Sequence, residues 1–160
     1  MKKILLAVAA LMATSALYGQ IPNVKVENAK GETISTSTLG EHKVPLIVSF
    51  WSTTCKPCML ELNAINEIME EWLEEADFKV VAVSIDDSRS ASKAKALVSG
   101  NGWDDFIVLY DKNQELKRAL NVNMVPHVFI FDKDGNQVYS HVGYTPGTEE
   151  EYIKKIKSLK

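Results

Sequence analysis

Cysteine is scarce in this chain: Cys55 and Cys58 are the only two among 160 residues. A small fold stapled by several disulfides is therefore excluded. The three histidines, His42, His127 and His141, are scattered, so two cysteines cannot recruit them into a four-ligand zinc site, and no metal is expected. Glycine (8) and proline (5) are sparse and without period, which removes collagen-like and low-complexity readings. No block of like charge appears and the net charge is only −3. A nucleic-acid partner, held by Lys and Arg on phosphates, is not expected. Long apolar runs are missing as well. The longest leading run, Ile4 to Ala13, falls well short of the roughly 20 residues a membrane span needs.

What is present begins with a leader. Lys2-Lys3 precede that short apolar run, and Thr14-Ser15-Ala16-Leu17-Tyr18-Gly19 follow it with mostly small residues. Basic start, apolar centre and small tail read as a secretory signal peptide over residues 1–19, cut after Gly19 or Ala16. An uncleaved anchor is the alternative. No cysteine lies nearby to carry a lipid. Removing residues 1–19 takes away Lys2 and Lys3 but no acid, moving the formal charge from −3 to −5. The expected product is one soluble domain, residues 20–160, in a bacterial periplasm, where disulfides form and persist.

No repeat or linker divides that domain. Val24 to Ile34 holds a Lys30-Gly31 turn and reads as a hairpin. Leu46 to Trp51 is a continuous apolar run after Pro45, as in a strand buried on both faces. Cys58, Leu62, Ile65, Met69 and Trp72 step by four and three, one face of a helix, and place Glu61, Glu67, Glu70 and Glu71 largely elsewhere. Lys79 to Ile85 and Phe106 to Tyr110 read as strands. Ser90 to Val98, with Gly100 as its cap, and Asn113 to Leu120 read as helices. Val128 to Phe131 and Gln137 to His141 form a hairpin across Asp134-Gly135. Glu149 to Leu159 closes the chain as a helix capped by Thr148. This order predicts an α/β fold with a mixed sheet and helices on both faces.

The cysteines lie at the junction of the buried strand and the amphipathic helix, in Thr54-Cys55-Lys56-Pro57-Cys58. Their spacing lets them close a small disulfide ring, and a helix N-terminus favours a thiolate on the first. Cys55 at the helix start reaches solvent. Cys58, one turn inside on the apolar face, is shielded. Cys55 is thus placed to attack a substrate disulfide and Cys58 to resolve the mixed disulfide. Pro57 is tolerated in the first turn, and Lys56 adds positive charge. A structural disulfide would stabilise little across so short a loop. Half a metal site would lack partners, and incidental buried cysteines would have no reason to flank Lys-Pro.

Phe50-Trp51-Ser52-Thr53-Thr54-Cys55-Lys56-Pro57-Cys58 resembles the active-site segment of thioredoxin-fold proteins. Cys55-x-x-Cys58-x-x-Glu61-Leu62 resembles their extracytoplasmic TlpA/ResA-like branch. So do Val83-Ser84-Ile85-Asp86, Leu109-Tyr110-Asp111, Met124-Val125-Pro126, Phe131-Asp132-Lys133-Asp134-Gly135 and His141-Val142-Gly143-Tyr144. The resemblance implies a thioredoxin-like fold with an N-terminal β-hairpin and a central βα insertion. It makes Cys55 the nucleophile, Cys58 the resolving cysteine and Pro126 a cis-proline that leaves the Val125 backbone free to pair with an extended substrate. Trp51, Thr54, Lys56 and Pro57 would then flank the substrate, although Trp51 and Trp103 also read as packing residues. Glu61 follows Cys58 by three residues, so one turn stacks its carboxyl near that sulfur. The branch uses such a glutamate to move protons. A solvated helix carboxylate is the competing reading.

The chain departs from the family at Thr54, where many members have tryptophan. It departs again at Ser49, where many have a buried aspartate, and His127 replaces a frequent threonine. The function this implies is an extracytoplasmic thiol–disulfide oxidoreductase acting on exported proteins, as a reductant. Its redox group is the Cys55–Cys58 pair and no other cofactor is expected. A membrane thiol–disulfide electron donor would recharge it, with cytochrome c maturation as one setting. Two alternatives stand beside it. A thiol peroxidase of the same fold would normally carry threonine where Ser52 stands. A Cu(I)-binding module using both sulfurs lacks a Met- or His-rich tract.

Overall fold

The computed structural model describes residues 19–159, so the expected leader, apart from Gly19, lies outside them. Strands β1 (Lys25–Asn28) and β2 (Thr33–Ser35) pair antiparallel. Asn28 Oδ1 accepts from Lys30 N and Glu32 N between them, and Gly31 takes a positive φ of 83°. A 3-10 helix, Thr36–His42, leads to β3 (Leu46–Trp51), which is buried along its whole length. Then follow α1 (Lys56–Glu75), β4 (Lys79–Ser84), α2 (Ala91–Gly100), β5 (Ile107–Tyr110) and α3 (Glu115–Ala119). Strands β6 (His127–Phe131) and β7 (Gln137–Val142) and helix α4 (Glu149–Lys157) close the chain.

The seven strands form one mixed sheet in the order β2-β1-β5-β4-β3-β6-β7. Strands β3, β4 and β5 run parallel, while β6 is antiparallel to β3 and β7 to β6. Alternation along the strands divides the core in two. On one side Ile47, Trp51, Val80, Val128 and Ile130 meet Leu62 and Ile65 of α1, Ala94 and Val98 of α2, and Tyr152 and Ile156 of α4. On the other, Val48, Phe50, Val83 and Phe129 meet Leu39 of the 3-10 helix and Leu116 of α3. The α/β class, the helices on both faces, the N-terminal hairpin and the inserted βα segment are all present.

Local differences from the sequence reading have local causes. Helix α2 runs through Gly100 and ends on Asn101, and it is Gly102, at φ 67°, that turns the chain. Strand β5 begins at Ile107 because Phe106 N closes a turn onto Trp103 O. Helix α3 is only five residues long because Gln114 and Asn121, both left-handed, bound it, while the buried Asp111 carboxylate accepts from Glu115 N and Lys117 N. Thr148 does not cap α4, since its hydroxyl pairs with Thr145 instead.

Candidate active site

Strand β3 ends at Trp51 and a short loop carries the chain into α1. That loop is tied to the end of β4. Asp86 accepts from Thr53 N at 2.9 Å, from Thr53 Oγ1 at 2.8 Å and from Ser84 Oγ at 2.9 Å. Cys55 is the N-cap of α1, with its backbone extended, and its sulfur accepts from Cys58 N at 3.2 Å. Pro57 sits in the first turn, where no helical acceptor is lost. Cys55 and Cys58 are joined as a disulfide with Cα atoms 5.3 Å apart. Cys55 is half-buried and Cys58 has no exposure at all. The pair is therefore asymmetric: one sulfur stands among the free N–H groups of a helix start, and the other lies inside the core.

Beneath the pair lies Glu61. Helical spacing gave it a place off the apolar face, and the structure corrects this: Glu61 is fully buried, while Glu67, Glu70 and Glu71 are not. Its carboxyl accepts from Ser49 Oγ at 2.8 Å and from Tyr152 Oη at 2.7 Å. Burial pushes its pKa up to about 7, and the two hydroxyl donors only partly offset that; Glu149 raises it slightly further. A buried carboxyl poised near neutrality, one turn from Cys58, can exchange a proton with a thiol.

Pairing of Phe50 with His127 puts the start of β6 beside the end of β3. The Val125–Pro126 bond there is cis, and Pro126 O accepts from Gly143 N at 2.8 Å. Val125 and Cys55 pack against the same core cluster. Thr54, Lys56 and Pro57 are exposed around the disulfide, as a substrate face requires. Trp51 is the exception and a correction. Its ring is wholly buried edge-on to Trp103 at 5.3 Å, so it packs the core and offers no surface to a substrate. His127 stacks on Phe129 at 4.2 Å, its Nε2 lies 2.8 Å from Ser140 Oγ, and burial, with His141 nearby, lowers its pKa.

A cavity of about 470 Å³ opens near Val44, Pro45, Asp77 and Asp132, at the opposite end of the sheet, and includes neither cysteine. The disulfide lies on a surface, which suits a macromolecular partner better than an enclosed small molecule. Sequence reasoning missed two features. Tyr152 could be suspected as the one polar-tipped residue on the apolar face of the closing helix. Asp86 stood in a noted motif without a role, and its hold on Thr53 depends on β3 and β4 ending side by side.

Comparison with known proteins agrees with this geometry. A sequence model described as the AhpC/TSA family matches residues 18–140. The thiol-disulfide oxidoreductase ResA of Bacillus anthracis is 32% identical over 138 residues, covering 86% of this chain and 76% of that protein. The thiol:disulfide interchange protein DsbE of Yersinia pestis is 30% identical, covering 82% and 68%. Among solved structures, a thioredoxin-like protein from Porphyromonas gingivalis superposes with a TM-score of 0.78 and 46% identity, over 89% of this chain and 92% of that one.

Proposed function

The chain belongs to the AhpC/TSA family and is a thiol–disulfide oxidoreductase of thioredoxin-like fold, and from that premise we propose that it reduces disulfides in exported proteins. The observation that carries this reading is the asymmetric pair, an accessible Cys55 at a helix start and a shielded Cys58 above a buried carboxyl.

The reduced enzyme presents Cys55 as a thiolate. Its sulfur attacks one sulfur of a client disulfide, forms a mixed disulfide and expels the other client sulfur as a thiolate. Cys58 then gives its thiol proton to Glu61 and attacks Cys55 Sγ. The Cys55–Cys58 bond forms, the mixed disulfide breaks, and the client leaves with both sulfurs as thiolates and two electrons gained. It takes up its protons from solvent, to which Glu61 later returns the proton it received. Thr54, Lys56, Pro57 and the partly exposed Val125 form the face on which the client lies, with the buried cis-Pro126 shaping it from behind and the Val125 backbone available to an extended segment. The Glu61 carboxylate disfavours a thiolate on Cys58 and supports the reductant reading, while the helix start favours a Cys55 thiolate and acts in the opposite sense, so the potential of the couple decides the direction.

The leader pattern of residues 1–19 supports release into the periplasm as a soluble domain. Among the described residues no helix is long and apolar enough to cross a membrane. Working there as a reductant requires recharging by a thiol donor in the membrane. The decisive measurement is the potential of the Cys55–Cys58 couple. A value near roughly −270 mV is expected, and one near roughly −120 mV would make the protein an oxidant instead. Cys55→Ala should abolish reduction of insulin disulfides, and Cys58→Ala should accumulate a mixed disulfide.

A further inference from the structure

Glu61 is held from two directions by groups that are far apart in sequence. Ser49 lies in the middle of β3, and Tyr152 lies on α4, 91 residues from Glu61 along the chain. Each carboxyl oxygen receives one hydroxyl, and all three residues are without exposure. We infer that Ser49 and Tyr152 are positioning residues of the reaction: together they lock the Glu61 carboxyl in one orientation under the cysteine pair and decide when it gives up its proton. This rests on the proton-accepting role proposed for Glu61.

The choice of partners is what makes the clamp useful. A lysine or arginine in either place would hold Glu61 permanently ionised. Apolar neighbours alone would keep it protonated. Two neutral hydroxyls stabilise the carboxylate without fixing it. Each hydroxyl also has acceptor lone pairs and a rotatable hydrogen, so either can receive a bond from the protonated acid. Both states of Glu61 can therefore be satisfied with no heavy atom displaced.

Among the described residues, none of the groups that shift the Glu61 carboxyl is a cation. From α4 come Tyr152 and the carboxylate of Glu149, and from β7 comes Tyr139, which feels the Glu61 charge and whose hydroxyl donates to Glu151 at 2.8 Å. Tyr144, beyond β7, also feels the charge of Glu61, and of Glu67 on α1. On α1 itself Cys58 lies one turn before Glu61. Burial and the Glu61 charge raise the Tyr152 phenol far above neutrality, so it keeps its proton throughout and donates to Glu61 whenever the carboxylate is charged. Removing that donor withdraws support from the carboxylate. Glu61 then keeps its proton to higher pH.

The test titrates the Glu61 carboxyl by infrared difference spectroscopy in oxidised protein, using Glu61→Gln to assign the band. It also follows resolution of a mixed disulfide against pH. Tyr152→Phe and Ser49→Ala are each expected to move the carboxyl midpoint upward by about one unit, and the rate profile with it. Below the midpoint that is about a tenfold slower resolution. In a Glu61→Gln background Tyr152→Phe should leave the rate profile where Glu61→Gln put it. If neither hydroxyl deletion moves the carboxyl titration, the clamp is wrong. A carboxyl midpoint that moves while the rate profile stays at wild type keeps the clamp and overturns the proton-accepting role of Glu61. The two failures are thereby told apart.

Discussion

A carboxyl that titrates near 7 when folded and at 4.5 when exposed binds its proton more tightly in the native state. Its contribution to stability is fully present below pH 4.5 and is lost as pH rises through about 7. The difference amounts to about 3 kcal/mol, a large part of the margin of a domain this size. Glu61→Gln removes the dependence. Relative to that variant, wild type should weaken in urea unfolding between about pH 4.5 and pH 7; parallel curves would show that Glu61 titrates alike in the folded and the unfolded chain. Catalysis and stability thus pull against each other at this one side chain, as is usual where a buried group must be able to hold a charge. At the residue scale the sequence was legible in Cys55 and Cys58 from their spacing at a helix start and in Glu61 from its place one turn after Cys58 together with the family resemblance, while its burial was not. Ser49 was singled out only as a missing aspartate and Tyr152 not at all, because their bonds to Glu61 depend on where β3 and α4 converge.

The loop before α1 shows how an element is held rather than merely formed. Three donors meet on Asp86, two of them from Thr53. Helix α1 itself is secured by Leu62, Ile65 and Trp72 against the sheet, but that packing does not fix the residues preceding Cys55. Asp86→Ala should cost about 1–3 kcal/mol through the donors it leaves unpaired. Faster hydrogen exchange at Thr53 N is the specific sign; unchanged exchange there would mean that the loop is held by something else. The same comparison explains why boundaries were harder to foresee than elements. Periodicity identified α1 and the strands from their apolar faces. The ends of α2 and α3 are set by Gly102, Gln114, Asn121 and Asp111, single residues whose backbone or side chain acts on its own.

Across the whole molecule the sheet separates two apolar layers that share β3, with Trp51 facing one and Phe50 the other. Both layers are filled by large side chains, so a deletion in either leaves a cavity. Leu62→Ala and Phe129→Ala should each lower stability by about 3–5 kcal/mol in denaturant titration. Only the first, beneath the cysteines, should also change the rate of disulfide exchange. Equal effects of both on exchange would mean that the layers are not functionally distinct. Fold class was readable from the sequence because alternating strand and helix patterns admit few arrangements. The division of labour between the two faces was not, since it depends on which side each crossover helix takes.

Cys55 and Cys58 stand three positions apart, whereas the bond that completes the site beneath them joins position 61 to position 152. A chain made from its N-terminus owns a closable pair of sulfurs long before the last helix exists. Ser49 is already in the chain by then, but the Tyr152 hydroxyl that holds the other oxygen of Glu61 is not. Docking of α4 is therefore the step that completes the surroundings of the carboxyl: a copy without its last helix owns both sulfurs and lacks one of the two hydroxyls beneath them.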